Sequence, residues 1–213
     1  MTASAVVPST LDEKIAAAAA LVREELRDGV GDACLTNSFQ AEDMVVLHLA
    51  REVAPDIPVL FLDTGYHFAA TYEYRDRMAA EWRMNLKNIL PEHTVAEQDS
   101  LLGRDLFARE PDRCCFLRKV VPLQATLARY DAWVTGVRRV EAPTRATTPL
   151  VTYDEKNGLV KLNPIAAWSE EQMQAYIDDH HVTVNPLVAE GYPSIGCRTC
   201  TVKPLHQYLR KKL

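Results

Sequence analysis

The sequence has 213 residues, of which 47% are hydrophobic and 25% are charged. This balance excludes a chain that is disordered throughout, and the length suits one α/β domain. The net charge of -5 argues against a general nucleic-acid binder, because phosphate contacts need clustered positive charge. No apolar run reaches membrane-spanning length, and residues 1–10 do not resemble a signal peptide, so we expect a cytoplasmic protein without a membrane partner.

Apolar spacing along the chain predicts alternating helices and strands. The predicted helices share an inward-facing apolar stripe and cover residues 10–29, 42–53, 68–82, 118–130 and 169–180. The predicted strands are short apolar runs at residues 33–35, 58–62, 84–90 and 132–135. Thr10 and Glu13 form a capping-box pattern at the first helix, and Pro122 carries a risk of a kink in the fourth. Such alternation predicts an α/β fold with a mostly parallel sheet flanked by helices.

Polar segments follow three of the predicted strands. They are residues 37–40, with the sequence Asn-Ser-Phe-Gln, residues 63–65, with Asp-Thr-Gly, and residues 136–139, with Gly-Val-Arg-Arg. Ligands of open parallel sheets bind at the carboxyl ends of strands, so we expect these segments to meet at one edge of the sheet.

Four of the five cysteines occur as two pairs that lie more than eighty residues apart, namely Cys114, Cys115, Cys197 and Cys200. Two such pairs can meet to form a four-thiolate site, which suits an iron-sulfur cluster or structural zinc. Disulfides are the weaker interpretation in a reducing cytosol, and adjacent cysteines are awkward to bridge. The six histidines have no zinc-ligand spacing with the cysteines, and only His67 falls near a predicted ligand-binding strand end.

Six segments in order resemble the assimilatory sulfonucleotide reductases, and more closely the cluster-containing adenylyl-sulfate reductases of the phosphoadenylyl-sulfate reductase family. The segments are residues 38–43, 62–65, 114–119, 135–139, 144–145 and 195–200. The resemblance implies an adenine nucleotide α-hydrolase-like (PP-loop) fold. It also implies reduction of adenosine 5'-phosphosulfate to sulfite and AMP in sulfate assimilation, with thioredoxin as the electron donor. We expect a single domain over residues 1–213, with an N-terminal helix (1–30), a core (31–200) and a short tail (201–213).

The resemblance also implies roles for individual residues. The four paired cysteines would hold a 4Fe-4S cluster with a structural and electrostatic role, and Lys119 would lie between that cluster and the anionic substrate. Family members often form homo-oligomers. The predicted substrate-binding residues are Ser38, Phe39, Leu62, Asp63, Thr64, Lys119, Gly136, Arg138, Arg139 and Arg145. Their chemistry fits, because a helix N-terminus and guanidinium groups both bind phosphate and sulfate oxygens.

The predicted chemistry needs a nucleophilic thiol outside the cluster. In the family this thiol sits in a C-terminal Glu-Cys-Gly-aliphatic-His segment, and the sequence from Thr201 to Leu213 has no cysteine. The thiol could belong to a missing segment, to another polypeptide or to Cys34, which we expect to be a buried strand residue. We therefore expect this chain to bind substrate and cluster without turning over alone.

Three alternatives stay open on the sequence. The substrate could be the 3'-phosphorylated sulfonucleotide, although the two cysteine pairs favour the non-phosphorylated one by resemblance. The chain could be an ATP pyrophosphatase-type enzyme for sulfur insertion, but Phe39 and Gln40 occupy glycine positions of that phosphate loop. It could also be a substrate-binding Fe-S protein that obtains a thiol from a partner.

Overall fold

The structure is a computed structural model that describes residues 10–27 and 31–203. Its centre is a six-stranded sheet with the order β3-β2-β1-β4-β6-β5. All neighbouring strands are parallel except β5, which runs antiparallel to β6. The strands are β1 (Ala33–Thr36), β2 (Pro58–Leu62), β3 (Asn85–Ile89), β4 (Ala132–Val134), β5 (Val151–Asp154) and β6 (Leu159–Leu162). The predicted mostly parallel sheet is confirmed.

Helices cover both faces of this sheet, as predicted. They are α1 (Leu11–Arg27), α2 (Ala41–Arg51), α3 (Ala69–Glu81), α4 (Val95–Leu102), α5 (Leu106–Arg109), α6 (Pro111–Cys115), α7 (Val121–Leu127) and α8 (Glu170–Asp179). The predicted capping box of α1 is present, because Glu13 N donates to Thr10 Oγ1 (3.3 Å) and Thr10 N donates to Glu13 Oε2 (3.1 Å). No helix in the described part of the chain is both long and apolar enough to cross a membrane.

The helix expected over residues 118–130 differs from the prediction. A π-helical segment (Phe116–Val120) comes first, α7 follows it, and the helix ends at Leu127. Pro122 lies in the first turn of α7, where its missing N–H is tolerated, so the helical hydrogen-bond pattern changes just before it. The sequence analysis also did not identify α4 to α6 or the β5–β6 hairpin.

The strand alternation divides the core into two layers. On β1, Leu35 points into the larger layer, which packs against α1, α2, α3 and α8, whereas Cys34 points into a smaller layer with Leu127. All three side chains are fully buried. The sheet therefore has a fixed register, and this register places the segments after β1, β2 and β4 at one edge.

Candidate active site

The segment after β1 has an unusual backbone conformation. Phe39 adopts φ +61°, a left-handed conformation that is strained for an aromatic residue. Two contacts hold it there: Phe39 N donates to Asn37 Oδ1 (2.6 Å), and the fully buried Phe39 ring packs edge-on against Phe61, with 5.6 Å between ring centroids. The side chain of Phe39 thus belongs to the core, and only its backbone remains for the predicted substrate contact.

Asp43 fixes the same segment from the first turn of α2. Its Oδ2 accepts hydrogen bonds from Ser38 N (2.7 Å) and Ser38 Oγ (2.6 Å). Burial raises the pKa of Asp43 to about 6, although the Ser38 hydrogen bonds oppose this shift. Gly136 lies against this turn, because a Cβ added there would come within 2.4 Å of Asp43 Oδ1 and 3.0 Å of the Glu42 carbonyl carbon. Gly136 is therefore required for the packing of β4 against α2.

A cavity of about 240 Å³, here called the inner cavity, opens at the carboxyl ends of β1, β2 and β4. Trp133 forms part of its wall, and its Nε1 donates to Thr36 Oγ1 (2.9 Å). His67 Nε2 lies 2.9 Å from Leu62 O, and burial lowers the pKa of His67. The lining is Thr36, Asn37, Ser38, Gln40, Asp43, Leu60, Phe61, Leu62, His67, Lys119, Leu123, Trp133, Ile195 and Gly196. Apolar walls with a few polar groups at one end suit a nucleoside carrying an anionic tail.

The four paired cysteines line one further cavity, the cysteine cavity. Cys114 and Cys197 are buried, whereas Cys115 and Cys200 are exposed. Burial raises the pKa of Cys114, as does negative charge on Cys115, Cys197 and Cys200, so the four sulfur groups lie within electrostatic reach of one another. The predicted convergence of the two pairs is therefore present in the fold.

The side chains of the cysteine cavity are closely packed. The free volume between them is about 10 Å³, and no three Cys, His, Asp or Glu side chains among residues 10–27 and 31–203 form a ready-made ion site. The fit to a metal group thus rests on the four thiols that line one cavity. Iron-sulfur clusters and zinc both bind four thiolates.

Thr64 and Arg118 hold the cysteine cavity together. Thr64 Oγ1 lies 3.1 Å from Cys197 Sγ. Arg118, buried beside Cys114, donates from Nε to Thr64 O (2.6 Å) and from Nη1 to Gln98 Oε1 (3.0 Å). Lys119 lines both the cysteine cavity and the inner cavity, so its side chain stands between the thiols and the candidate nucleotide site. The electrostatic role expected for Lys119 stays a prediction.

A larger cavity of about 740 Å³, the outer cavity, adjoins the inner one. Arg145 lines it and pairs with Glu141. Arg138 also lines it, but three carboxylates surround this buried guanidinium: Nη2 lies 3.0 Å from Glu42 and 2.7 Å from Glu170, and Nε lies 3.5 Å from Glu141. The outer lining is Gln40, Ala41, Glu42, Arg138, Glu141, Ala142, Arg145, Glu170, Met173, Gln174, Ile177, Val184, Val188, Tyr192, Pro193, Ser194 and Ile195.

The remaining predicted residues lie outside these cavities. Arg139 donates from Nε to Thr148 O (2.8 Å), and Asp63 accepts hydrogen bonds from Tyr72 Oη (2.5 Å) and Gly65 N (3.0 Å). Both therefore have local structural partners, and their substrate contacts stay a prediction. Cys34 is fully buried on β1, and burial raises its pKa to about 12, as expected of a packing residue.

The sequence analysis missed several site residues because they are distant in the chain. Trp133 and Leu123 line the inner cavity without forming a recognisable motif, and the position of Ile195 in that cavity, at the start of the segment 195–200, was not anticipated. An aromatic residue one position before the end of a central strand was the available signal for Trp133. Arg118 lies inside the segment 114–119, but its burial beside the cysteines was not anticipated.

The sheet order, the parallel strands and a ligand cavity at their carboxyl ends define a PP-loop type α/β protein. Residues 32–203 match the family model described as the phosphoadenosine phosphosulfate reductase domain. The chain belongs to this family.

Two close relatives are named adenosine 5'-phosphosulfate reductase. The protein from Rhodococcus opacus is 63% identical over 172 residues, which cover 79% of this chain and 70% of the relative. The protein from Mycobacteroides abscessus is 59% identical over 164 residues, which cover 77% of this chain and 69% of the relative.

Solved structures agree with the fold. A phosphate complex of phosphoadenylyl-sulfate reductase from Candida auris has a TM-score of 0.77 at 25% identity, covering 92% of this chain and 99% of that one. Yeast FAD synthetase has a TM-score of 0.66 at 14% identity, covering 95% of this chain and 72% of that one, and shares the fold alone. The predicted PP-loop fold is confirmed.

Proposed function

We propose that this chain carries the substrate-binding and cluster-binding part of an enzyme that reduces adenosine 5'-phosphosulfate to sulfite and AMP, with thioredoxin as the electron donor. The observation that carries the proposal is the position of Lys119, which lines both the nucleotide-sized inner cavity and the cavity formed by four cysteines. The names of the two bacterial relatives support the substrate.

We assign a 4Fe-4S cluster to Cys114, Cys115, Cys197 and Cys200. When bound, the cluster supplies a negatively charged group beside Lys119, and its role is electrostatic and structural. Four thiols on one cavity support this assignment, and an adjacent cysteine pair is unusual for structural zinc, whose ligands are commonly spaced by two or more residues.

The residues of the chain explain how an anionic nucleotide would bind. The nucleoside occupies the apolar inner cavity between Leu62 and Trp133, and its phosphosulfate lies toward Ser38 and the first turn of α2, where backbone N–H groups lack helical acceptors. Lys119 offsets part of the substrate charge from the opposite side. Arg145 is the arginine of the outer cavity with an exposed side chain, which suits it to contact the sulfate.

The redox step uses a thiolate that attacks the sulfate sulfur. The bond between sulfur and the bridging oxygen breaks, AMP leaves with that oxygen, and an enzyme thiosulfonate forms. Thioredoxin then attacks the thiosulfonate, sulfite leaves, and the two thioredoxin thiols become a disulfide. Burial of Cys34 makes it a poor nucleophile, so we assign the reacting thiol to residues or a polypeptide outside the described chain.

Competitive binding tests the substrate. Anaerobically purified chain is titrated with AMP while either adenosine 5'-phosphosulfate or its 3'-phosphorylated form competes. We expect the non-phosphorylated substrate to compete at least tenfold better, and the reverse order would overturn the substrate assignment.

Site variants test the cavity assignment. Lys119→Met should weaken adenosine 5'-phosphosulfate binding about tenfold or more, whereas Lys87→Met, at an exposed position of β3, should leave it unchanged. Iron and acid-labile sulfide near four of each per chain would agree with the cluster, whereas zinc without sulfide would contradict it.

Domain organisation, location and oligomeric state are also part of the proposal. We propose one domain, which the single continuous sheet supports. We also propose a cytoplasmic location, from the sequence pattern, and a homo-oligomer, by family resemblance. Light scattering of the purified chain measures the oligomeric state, and a monomer at micromolar concentration would contradict the proposed homo-oligomer.

A further inference from the structure

Gln40 connects the nucleotide segment after β1 to a chain segment 155 residues away. Its Oε1 accepts hydrogen bonds from Ile195 N (2.7 Å) and Ser194 Oγ (3.3 Å), and its Nε2 donates to Ser38 Oγ (3.3 Å). One side chain therefore contacts both Ser38, which lines the inner cavity, and the irregular segment that precedes Cys197.

The same hydrogen bond lies where the inner and outer cavities adjoin. Gln40 and Ile195 are the residues, among those described, that line both the inner and the outer cavity. Ile195 is buried and Gln40 is half-buried, so this contact is partly shielded from water. The contact therefore lies at the boundary between the candidate nucleotide site and the outer cavity.

Among the described residues, other contacts also hold the segment after Ile195, including the one between Thr64 Oγ1 and Cys197 Sγ (3.1 Å). Gly196 N donates to Thr201 Oγ1 (3.1 Å), which is a contact within the cysteine segment itself. Cys197 forms an isolated antiparallel bridge with His67, and Arg198 N donates to Tyr66 O (2.7 Å), so these contacts tie the segment to the chain after β2. Gln40 supplies the corresponding tie to the chain after β1.

We propose that Gln40 is a positioning residue that couples nucleotide binding to occupation of the cysteine cavity. A metal group held by Cys197 and Cys200 fixes residues 194–196, these fix the Gln40 side chain, and Gln40 holds Ser38 in its binding position. Coupling between two sites is reciprocal, so bound nucleotide must retain the metal group to the same degree. This inference rests on the proposed function, because it requires both ligands.

The test compares AMP affinity between metal-loaded and metal-free protein. In the wild type we expect tighter AMP binding to the loaded form. Gln40→Met keeps the side-chain length but removes both the acceptor for Ile195 N and the donor to Ser38. The ratio of the two dissociation constants should fall about fivefold or more, since the loss of one neutral hydrogen bond already has an effect of about that size. Gln40→Glu keeps an acceptor for Ile195 N and should recover most of the ratio.

Two controls make the result specific. Gln174 also lines the outer cavity, but its side chain contacts Asp178. In Gln174→Met, the ratio of AMP dissociation constants between metal-free and metal-loaded protein should therefore equal that of the wild type. AMP should also slow the loss of iron to a chelator in the wild type and not in Gln40→Met.

The outcomes separate this inference from the proposed function. If Gln40→Met changes AMP affinity by the same factor in both forms, or not at all, the coupling role is refuted while the nucleotide site stands. If AMP binds neither form of the wild type, the proposed function fails, and the coupling fails with it.

Discussion

Replacement of Gly136 by alanine tests whether β4 and the start of α2 are as closely packed as the structure shows. The added Cβ would lie 2.4 Å from Asp43 Oδ1 and 3.0 Å from both Asp43 N and the Glu42 carbonyl carbon. The first atom belongs to a side chain that Ser38 holds through two hydrogen bonds, and the other two are backbone atoms. Neither group can move without displacing the first turn of α2.

Overpacking of this kind costs about 1–3 kcal/mol of unfolding free energy. For a domain of this size, that corresponds to a melting temperature lower by about 2–12 °C. Urea unfolding and thermal unfolding measure the loss. Because the displaced turn carries the candidate anion site, we also expect AMP to bind more weakly to Gly136→Ala.

Gly196→Ala is the matched control. Within residues 10–27 and 31–203, a Cβ at Gly196 would meet only Thr201 Oγ1, at an ordinary contact distance of 3.8 Å, and its φ is not in the left-handed region. We expect unchanged or slightly higher stability, since alanine restricts the unfolded chain. Equal stability and equal AMP affinity of Gly136→Ala and the wild type would refute the packing argument.

Three further outcomes are expected. Arg138→Met should lower the unfolding free energy by about 2 kcal/mol in urea, because it leaves carboxylates clustered without their cation; their partial exposure keeps the loss below that of a fully buried pair. Arg118→Met should lower the unfolding free energy by about 3 kcal/mol in the same assay, since it removes hydrogen bonds to Thr64 and Gln98 beside the cysteines. It should also lower iron retention, and unchanged retention would contradict the position of Arg118 beside the cysteine cavity. Burial lowers the pKa of His48, so the unfolded state binds more protons and stability should fall as the pH drops below 6.5. His48→Gln should lose less stability than the wild type between pH 7.5 and 5.5. Parallel curves of unfolding free energy against pH for the two proteins would refute this.

Local patterns predicted much of the fold. Three of these patterns depend on neighbours within a few residues, and all three appear as expected. They are the capping box of Thr10 and Glu13, the apolar spacing of α2 and the short apolar run of β2. The β5–β6 hairpin was missed although Asn157 and Gly158 carry a turn signal, and Gly158 has φ +70°. Its strands are four residues each, too short to show a clear period.

The candidate site was predictable as a set of segments but not as a geometry. Parallel strands bring their carboxyl ends to one edge, so the presence of Ser38 and Leu62 in one cavity followed from topology. The contact between Gln40 and Ile195 joins positions 155 residues apart and depends on the path of irregular segments. The burial of Arg138 among carboxylates likewise depends on tertiary packing, so its guanidinium could not be distinguished in advance from that of Arg145.

The π-helical segment Phe116–Val120 limits how this protein can change in length. A π-helical turn contains one residue more than an α-helical turn, since its hydrogen bonds join residues five apart. Removal of one residue there would restore a regular helix, but it would rotate Lys119 relative to Cys114 and Cys115. Point substitutions at the exposed Phe116 leave this relation intact, whereas a single-residue deletion does not. The spacing between the cysteine pair and the lysine should therefore tolerate changes of residue type far better than changes of residue number.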